Sequence, residues 1–205
     1  MSGSDEAAPP PAPAAAGGRL DALLSAVRAA GGRGPAPVEL WDPPDCGDMD
    51  MRIAADGTWF YGGTPIGRPA LVRLFASVLT REGARFVLKT PAEKIGITVE
   101  DAPFLAVDMA QEEGESGPVL VFRTNLDDLV RCGPGHDLRF VPGAQAGEVI
   151  PYIHVRRGLD ARLTRALAFD LAALGEVRDQ AGTPMFGVAS SGEFYPMLPA
   201  SAVGL

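Results

Sequence analysis

Scarcity says more about this 205-residue chain than abundance does. It has two cysteines, Cys46 and Cys132, and neither stands in a C-x-x-C pair. That argues against a disulfide framework or a cysteine–zinc cluster and fits a reducing, cytoplasmic setting. The two histidines, His136 in "CGPGHDL" and His154 in "PYIHVR", are too few for a histidine-rich metal site. No G-x-S-x-G elbow accompanies them, so a serine triad is not signalled either. No stretch approaches the roughly 18 apolar residues of a membrane-spanning helix. Nor does "MSGSDEAAPPPAPAAAGG" show the basic start and apolar run of a secretory signal. Positive charge is short as well. With 18 Lys and Arg against 26 Asp and Glu, the net charge is −8, which argues against a nucleic-acid polymer as partner. Among the basic residues only Lys89 and Lys94 are lysines, and both lie in "LKTPAEK".

What is present is an ordinary core composition, 46% hydrophobic and 21% charged, enough for one domain or two small ones. Residues 1–18 read as a disordered Ala/Pro leader. Residues 19–35 carry a helix with Leu20, Leu23, Leu24 and Val27 on one stripe and Gly31-Gly32 as its stop. A proline-rich strap pinned by Trp41 follows. In "DMDMRI", Met49, Met51 and Ile53 alternate with Asp48, Asp50 and Arg52, the period of a strand with one wet face. Asp56-Gly57 predicts a two-residue hairpin turn into "TWFY".

"YGGTPIGRPALVRLF" poses the main functional question. Gly62 and Gly67 have the spacing of a phosphate-binding loop, but Arg-Pro follows where that loop needs Lys-Ser or Lys-Thr. The segment therefore reads as a connecting bend. Pro69 then opens a helix whose stripe is Leu71, Leu74, Phe75, Val78 and Leu79, with Gly83 as its end. "ARFVLKTPAEKIGITV" predicts strand, tight turn, strand, and "PFLAVDMAQEEGESGPVLVFRTN" a hairpin turning in "EGESG". The acids of "QEEGE" read as a solvated face. "DLRFV" and "VIPYIHVR" are strands, and "GLDARLTRALAFDLAALG" is a second helix. Its expected N-cap is Asp160, its stripe Leu163, Leu167, Leu171 and Leu174, and its stop Gly175. A last hairpin turns at Ser191-Gly192.

The fold class is thus α+β: a unit of antiparallel strands plus one amphipathic helix, present twice, over residues 36–103 and 104–205. "GTPIGRPALVRLFASVL" followed by a hairpin parallels "PYIHVRRGLDARLTRALAFDLAAL" followed by another.

Candidate chemistry sits at element ends. Arg68 precedes the first helix, Lys94 follows the "TPAE" turn, and Arg156 and Arg157 precede the second. Arg162 and Arg165 fall on one face of that predicted helix. These basic residues suit an anion such as a phosphate, and Trp59, Tyr61 and Tyr152 offer ring faces to a base. The competing reading pairs the arginines with surface acids.

The motifs "DGTW", "GTPIGR", "TPAEKIGITVEDAPF", "FRTN" and "YIHVRR" together resemble a bacterial domain-of-unknown-function family, number 1285, from about Leu40 to about Leu174. The resemblance covers Asp56, Trp59, Pro65, Arg68, Thr90, Glu93, Lys94, Asp101, Asn125, Tyr152 and Arg156, while Lys89 departs from it. It implies a duplicated core whose second half is similar to pleckstrin-homology-like folds. It also implies a cleft between the halves that holds a nucleotide-like ligand, with a role in signalling. The leading expectation is a non-enzymatic sensor or adaptor without cofactor or metal. In it Arg68, Lys94 and Arg156 neutralise the anion, Thr90 donates a hydrogen bond, Glu93 lines the site, and Trp59 or Tyr152 stacks. The alternatives are a protein-interaction module, and an enzyme using Glu93 or Asp101 with Lys94 as an acid–base pair.

Overall fold

The computed structural model describes residues 16–30, 34–145 and 147–204. Helix α1 spans Ala16–Ala30, so the last three residues assigned to the leader are helical, while the expected stop at Gly31-Gly32 lies outside the described residues. Its Leu23 and Val27 are fully buried, with Leu20 and Leu24 packed beside them.

The first sheet is built from β1 (Asp45–Ile53), β2 (Trp59–Tyr61), β3 (Thr64–Pro65), β4 (Leu79–Glu82), β5 (Arg85–Lys89) and β6 (Lys94–Val99). Helix α2 (Pro69–Ser77) lies between β3 and β4. The strand order is β3-β2-β1-β6-β5-β4, antiparallel except for β1 beside β6. Met49, Met51 and Ile53 face the core, as the alternation predicts.

The β1–β2 connection is one residue longer than Asp56-Gly57 alone predicts. Ala54 N donates to Thr58 O, and Gly57 N donates back to Ala54 O, both at 2.9 Å. The Asp56 carboxylate accepts from Thr58 N at 2.9 Å, and only Gly57 enters the left-handed region, at φ 80°. The "GG" of the bend is the tight turn of a second hairpin. Gly62 and Gly63, at φ 55° and 73°, join β2 to β3, which matches a turn with both central residues left-handed.

Helix α2 opens on Pro69 as expected but ends at Ser77, not at Gly83. Val78 caps it and Leu79 begins β4, whose Leu79 pairs with Leu88; Gly83 turns the β4–β5 hairpin instead. The apolar spacing that continued the helix through Val78 and Leu79 is also what a buried strand start needs, and pairing with β5 takes precedence.

The second sheet contains β7 (Phe104–Gly114), β8 (Gly117–Thr124), β9 (Leu129–Arg131), β10 (Leu138–Pro142), β11 (Val149–Arg156) and β12 (Leu159–Leu163). Its order is β10-β11-β12-β7-β8-β9, again antiparallel except for the pair formed by its first and sixth strands. Strand for strand, β1–β6 therefore correspond to β7–β12. The two halves are similar, mostly sheet with few helices, but the match is not the one proposed from sequence. The helix stands between the third and fourth strands in the first half and after the sixth in the second.

That second helix, α3, is Arg165–Ala173. Asp160 is not its N-cap. Arg157 and Gly158, at φ 50° and 72°, turn β11 into β12, which takes up Asp160, Arg162 and Leu163. Thr164 caps the helix, its hydroxyl accepting from Leu167 N at 3.4 Å. Arg162 and Arg165 consequently lie on a strand and a helix, not on one helical face. After α3 come β13 (Glu176–Gln180), β14 (Thr183–Ser190) and β15 (Glu193–Pro199), a three-stranded sheet whose last two strands turn at Ser191-Gly192 as expected. Neither β9 nor β13 was anticipated.

One contiguous core joins α1, α2, both large sheets and β14–β15, running from Leu23 to Tyr195.

Candidate functional site

Most of the residues singled out from sequence are already bonded, and the structure does not gather them. Trp59 is 1% exposed and stacks on Phe75 of α2, ring centroids 6.3 Å apart and planes 13° off parallel. It is a core residue, offering no face to a ligand. Thr90 is fully buried, and its hydroxyl serves its own turn. It accepts from Ala92 N (3.3 Å) and Glu93 N (3.1 Å) and donates to Glu93 O (3.2 Å). That arrangement is the side-chain turn that lets "TPAE" reverse the chain tightly. Glu93 contributes backbone groups to the same turn.

Lys94 begins β6 opposite Lys89, and the two ammonium groups share one carboxylate. Glu82 accepts from Lys94 Nζ at 2.7 Å and from Lys89 Nζ at 3.2 Å. The hydrogen bond from Lys94 holds the Glu82 carboxyl below its ordinary range, and the same bond raises the Lys94 ammonium. Arg68 caps α2 through its backbone oxygen, which receives Leu71 N at 2.9 Å, and its side chain is exposed.

Tyr152 belongs to a different polar group where the second sheet meets the 100–102 segment. Its hydroxyl donates to Asp101 at 2.7 Å, and Arg162 reaches the other Asp101 oxygen at 2.9 Å. The Arg139 guanidinium covers the ring at 4.2 Å and pairs with Asp160, which also receives His154 Nδ1 at 3.0 Å. Burial, and then the bond to Asp101, push the Tyr152 phenol up to about 12.

Two cavities take in residues of the set: Arg162 and Arg165 line one of about 480 Å³ beside Glu148 and Phe169, and Arg156 lines the other. A cleft of about 310 Å³ runs between the halves, walled by Ala70, Arg73, Leu74, Ala76 and Ser77 of α2, by Gly34 and Pro35, and by Leu126, Asp128 and Arg156 from the second half. Arg156 extends from the end of β11 over the Phe104 ring (4.9 Å). It donates to Asp128 at 2.8 Å and to Ala76 O at 3.3 Å, and its buried Nε has no partner among the described residues. Across the cleft, Arg73 pairs with Asp127 at 2.5 Å, both groups half exposed. Arg73 went unnoticed in the sequence. Its signal was local all the same, since an arginine flanked at helical spacing by Ala70, Ala76 and Ser77 marks a helix face made of small residues. Among the described residues the cleft has no histidine, and its one hydroxyl, Ser77, donates to Leu74 O at 2.7 Å. Among the described residues no group of three or more His, Cys, Asp or Glu is arranged to hold a metal ion. No described helix is long and apolar enough to cross a membrane.

Fold and site thus define a two-half, sheet-rich protein in which each half contributes an arginine to the cleft between them. The chain belongs to the DUF1285 family. A model described as "Domain of unknown function (DUF1285), N-terminal domain" matches residues 36–102, and one described as "Protein of unknown function (DUF1285), C-terminal domain" matches residues 103–197. A solved DUF1285 family protein from Silicibacter pomeroyi DSS-3 is 49% identical, with a TM-score of 0.81 over 89% of this chain and 98% of that one. Another, from Shewanella baltica OS155, is 29% identical over 60% of this chain and 89% of that one, with a TM-score of 0.48. No curated protein matches.

Proposed function

We propose that this protein is a non-enzymatic sensor or adaptor that binds a small phosphate-bearing, nucleotide-like molecule in the cleft between its halves. The observation that carries the reading is that Arg73 and Arg156, from opposite halves, both line the same cleft. Each is held by a carboxylate, Asp127 or Asp128, that an incoming phosphate can displace. Arginine's planar fork suits such an exchange, because it presents paired donors to a phosphate edge as readily as to a carboxylate. The cleft volume lies at the lower end of the range for small-molecule sites, which sets the ligand at mononucleotide size or below. Without a nucleophile–base pair in its lining, the cleft is a binding site in this reading and not a reaction centre. A ligand touching both halves gives a signal a physical route, since occupancy would change how they are held together. The likeness of the second half to pleckstrin-homology-like folds is part of the same proposal.

The test is thermal stability at low salt against inorganic phosphate, nucleoside mono- and diphosphates and sugar phosphates. A ligand at a hundred times its dissociation constant adds about 2.7 kcal/mol, which at about 2–4 °C per kcal/mol is a rise of roughly 5–10 °C. Arg73→Glu should abolish the rise while leaving the unliganded melt nearly unchanged, because its ion pair is half exposed. A flat panel up to millimolar ligand, or a rise that survives Arg73→Glu, removes the proposal.

A further inference from the structure

Strand β13 is the open edge of the three-stranded sheet, and all five of its residues, Glu176 to Gln180, are exposed. The other sheet margins are blunted in ways β13 is not. β3 has only two residues, one of them a proline, β9 has three residues, Arg81 N of β4 donates to Arg157 O of the other half (3.3 Å), and β10 lies against β15. The edge itself exposes Val177 (45%), and Leu174, two residues before the strand, is exposed as well (44%).

The hydrogen-bonding parity of the edge follows from the turn. Ala181 and Gly182, at φ 53° and 87°, make a two-residue hairpin in which Gln180 and Thr183 form the closing, bonded pair. Bonded and non-bonded pairs alternate along an antiparallel ladder. Gln180, Arg178 and Glu176 therefore direct their backbone groups at β14, while Val177 and Asp179 direct theirs outward. Pro184, which has no N–H, stands opposite Asp179, at a position where none is needed.

A second copy pairing antiparallel on this edge about a twofold axis has only the registers this parity permits. Centred on Asp179, it sets like carboxylates against each other. Centred on Arg178, it sets like guanidinium groups against each other. Centred on Val177, the two valines exchange backbone bonds, and Glu176 of each copy falls opposite Arg178 of the other. Cross-strand pairs of opposite charge stabilise such a ladder and like pairs destabilise it.

We propose that this chain forms a twofold dimer by pairing β13 with β13 of a second copy in the register centred on Val177. The contact is self-complementary, as a closed twofold interface must be. It is also short, so the dimer belongs with the small, transient interfaces. It is independent of the cleft, and its failure leaves the ligand proposal standing.

Sedimentation velocity on the full chain, from about 5 to 500 µM and without ligand, tests it. The expected result is a concentration-dependent monomer–dimer equilibrium, weakened at least tenfold by Arg178→Glu, which turns both cross-strand pairs into like charges. The double variant Glu176→Arg/Arg178→Glu restores the opposite pairing and should bring association back. Glu176 and Arg178 also pair within the strand at 2.6 Å, and the Arg178 guanidinium lies over the Phe194 ring at 5.2 Å. Both side chains are half exposed, so the variants should melt within about 2–4 °C of the parent, which separates lost association from lost folding. A monomer throughout the range overturns the proposal. So does a dimer indifferent to Arg178→Glu, or one that the double variant fails to rescue.

Discussion

Trp59 gives the sharpest test of how this fold is held. Its ring is 1% exposed against a fully buried Phe75, yet its indole N–H has no hydrogen-bond partner among the described residues. Two substitutions separate packing from polarity. Trp59→Ala removes the ring and leaves a cavity, at a cost of about 3–5 kcal/mol. At about 2–4 °C per kcal/mol, the melt falls by roughly 6–20 °C. Trp59→Phe deletes two ring carbons and the N–H. Losing the carbons costs about 0.8 kcal/mol each, with a small cavity term added. Removing a buried, unbonded donor returns about 1–3 kcal/mol. The two effects nearly cancel, so Trp59→Phe should lie within about 1 kcal/mol of the parent. Urea unfolding followed by far-ultraviolet circular dichroism measures both without depending on the tryptophan signal. If Trp59→Phe costs as much as Trp59→Ala, the indole N–H is bonded in solution and the reasoning fails. If Trp59→Phe is neutral for stability but abolishes binding of a proven ligand, Trp59 is a recognition residue after all.

How much of this was readable in advance depends on whether the information is local. The hairpins were, because a strand's period of two and a turn's backbone requirement are both written within a few residues. Gly62-Gly63 and Ser191-Gly192 are turns wherever they occur between extended segments. The helix boundaries were not. Leu163, Leu167 and Leu171 have helical spacing, yet Leu159, Ala161 and Leu163 also have strand spacing, and all three are buried on β12. The parallel neighbour β7 decides between the two, and it comes some fifty residues earlier in the chain. β13 has no inward-facing residue, so it carries no alternation to find. The internal similarity is visible in the sequence, but the helices do not occupy equivalent places in the two halves, so matching helix to helix puts the strands out of register.

The site was less readable for a related reason. Residue type and position in the chain suggest what a group can do, whereas partners decide what it does. Thr90 and Lys94 look like ligand donors until the Thr90 hydroxyl is found in its own turn and the Lys94 ammonium on Glu82, twelve residues away in sequence. Trp59 looks like a stacking platform until α2 folds over it. Of the expected set only Arg156 reaches the cleft between the halves; the small-residue face around Arg73 is written locally, but its place opposite Arg156 depends on where α2 packs.

Three further perturbations follow from particular contacts. Gly187→Ala would place a Cβ 2.3 Å from Tyr195 O and 2.9 Å from the Pro196 Cα, against backbone that cannot rotate away. It should destabilise by more than about 2 kcal/mol, where a neutral urea midpoint would refute the tightness of the β14–β15 bulge. Tyr152 has a folded pKa of about 12 against an ordinary 10, so the folded state keeps a proton that the unfolded chain loses. Its contribution is complete below pH 10 and is lost as pH rises through 12; Tyr152→Phe should therefore flatten the fall in stability between pH 9.5 and 11, and an unchanged slope would refute the assignment. The last perturbation asks whether two similar halves are one folding unit. Their core is continuous, and Arg156 ties them through Asp128 and the Ala76 carbonyl while covering Phe104. Lysine at 156 keeps the charge but cannot hold both bonds and lie flat on the ring, so Arg156→Lys should cost about 1–3 kcal/mol. In a single cooperative unit that cost appears as a lower urea midpoint with the same slope, since the surface exposed on unfolding is unchanged. Were the halves separate units joined only at their margin, the same substitution would split the transition or reduce its slope, because one half would unfold while the other stood. A continuous core makes the first outcome the expected one, since neither half can open without exposing apolar surface of the other.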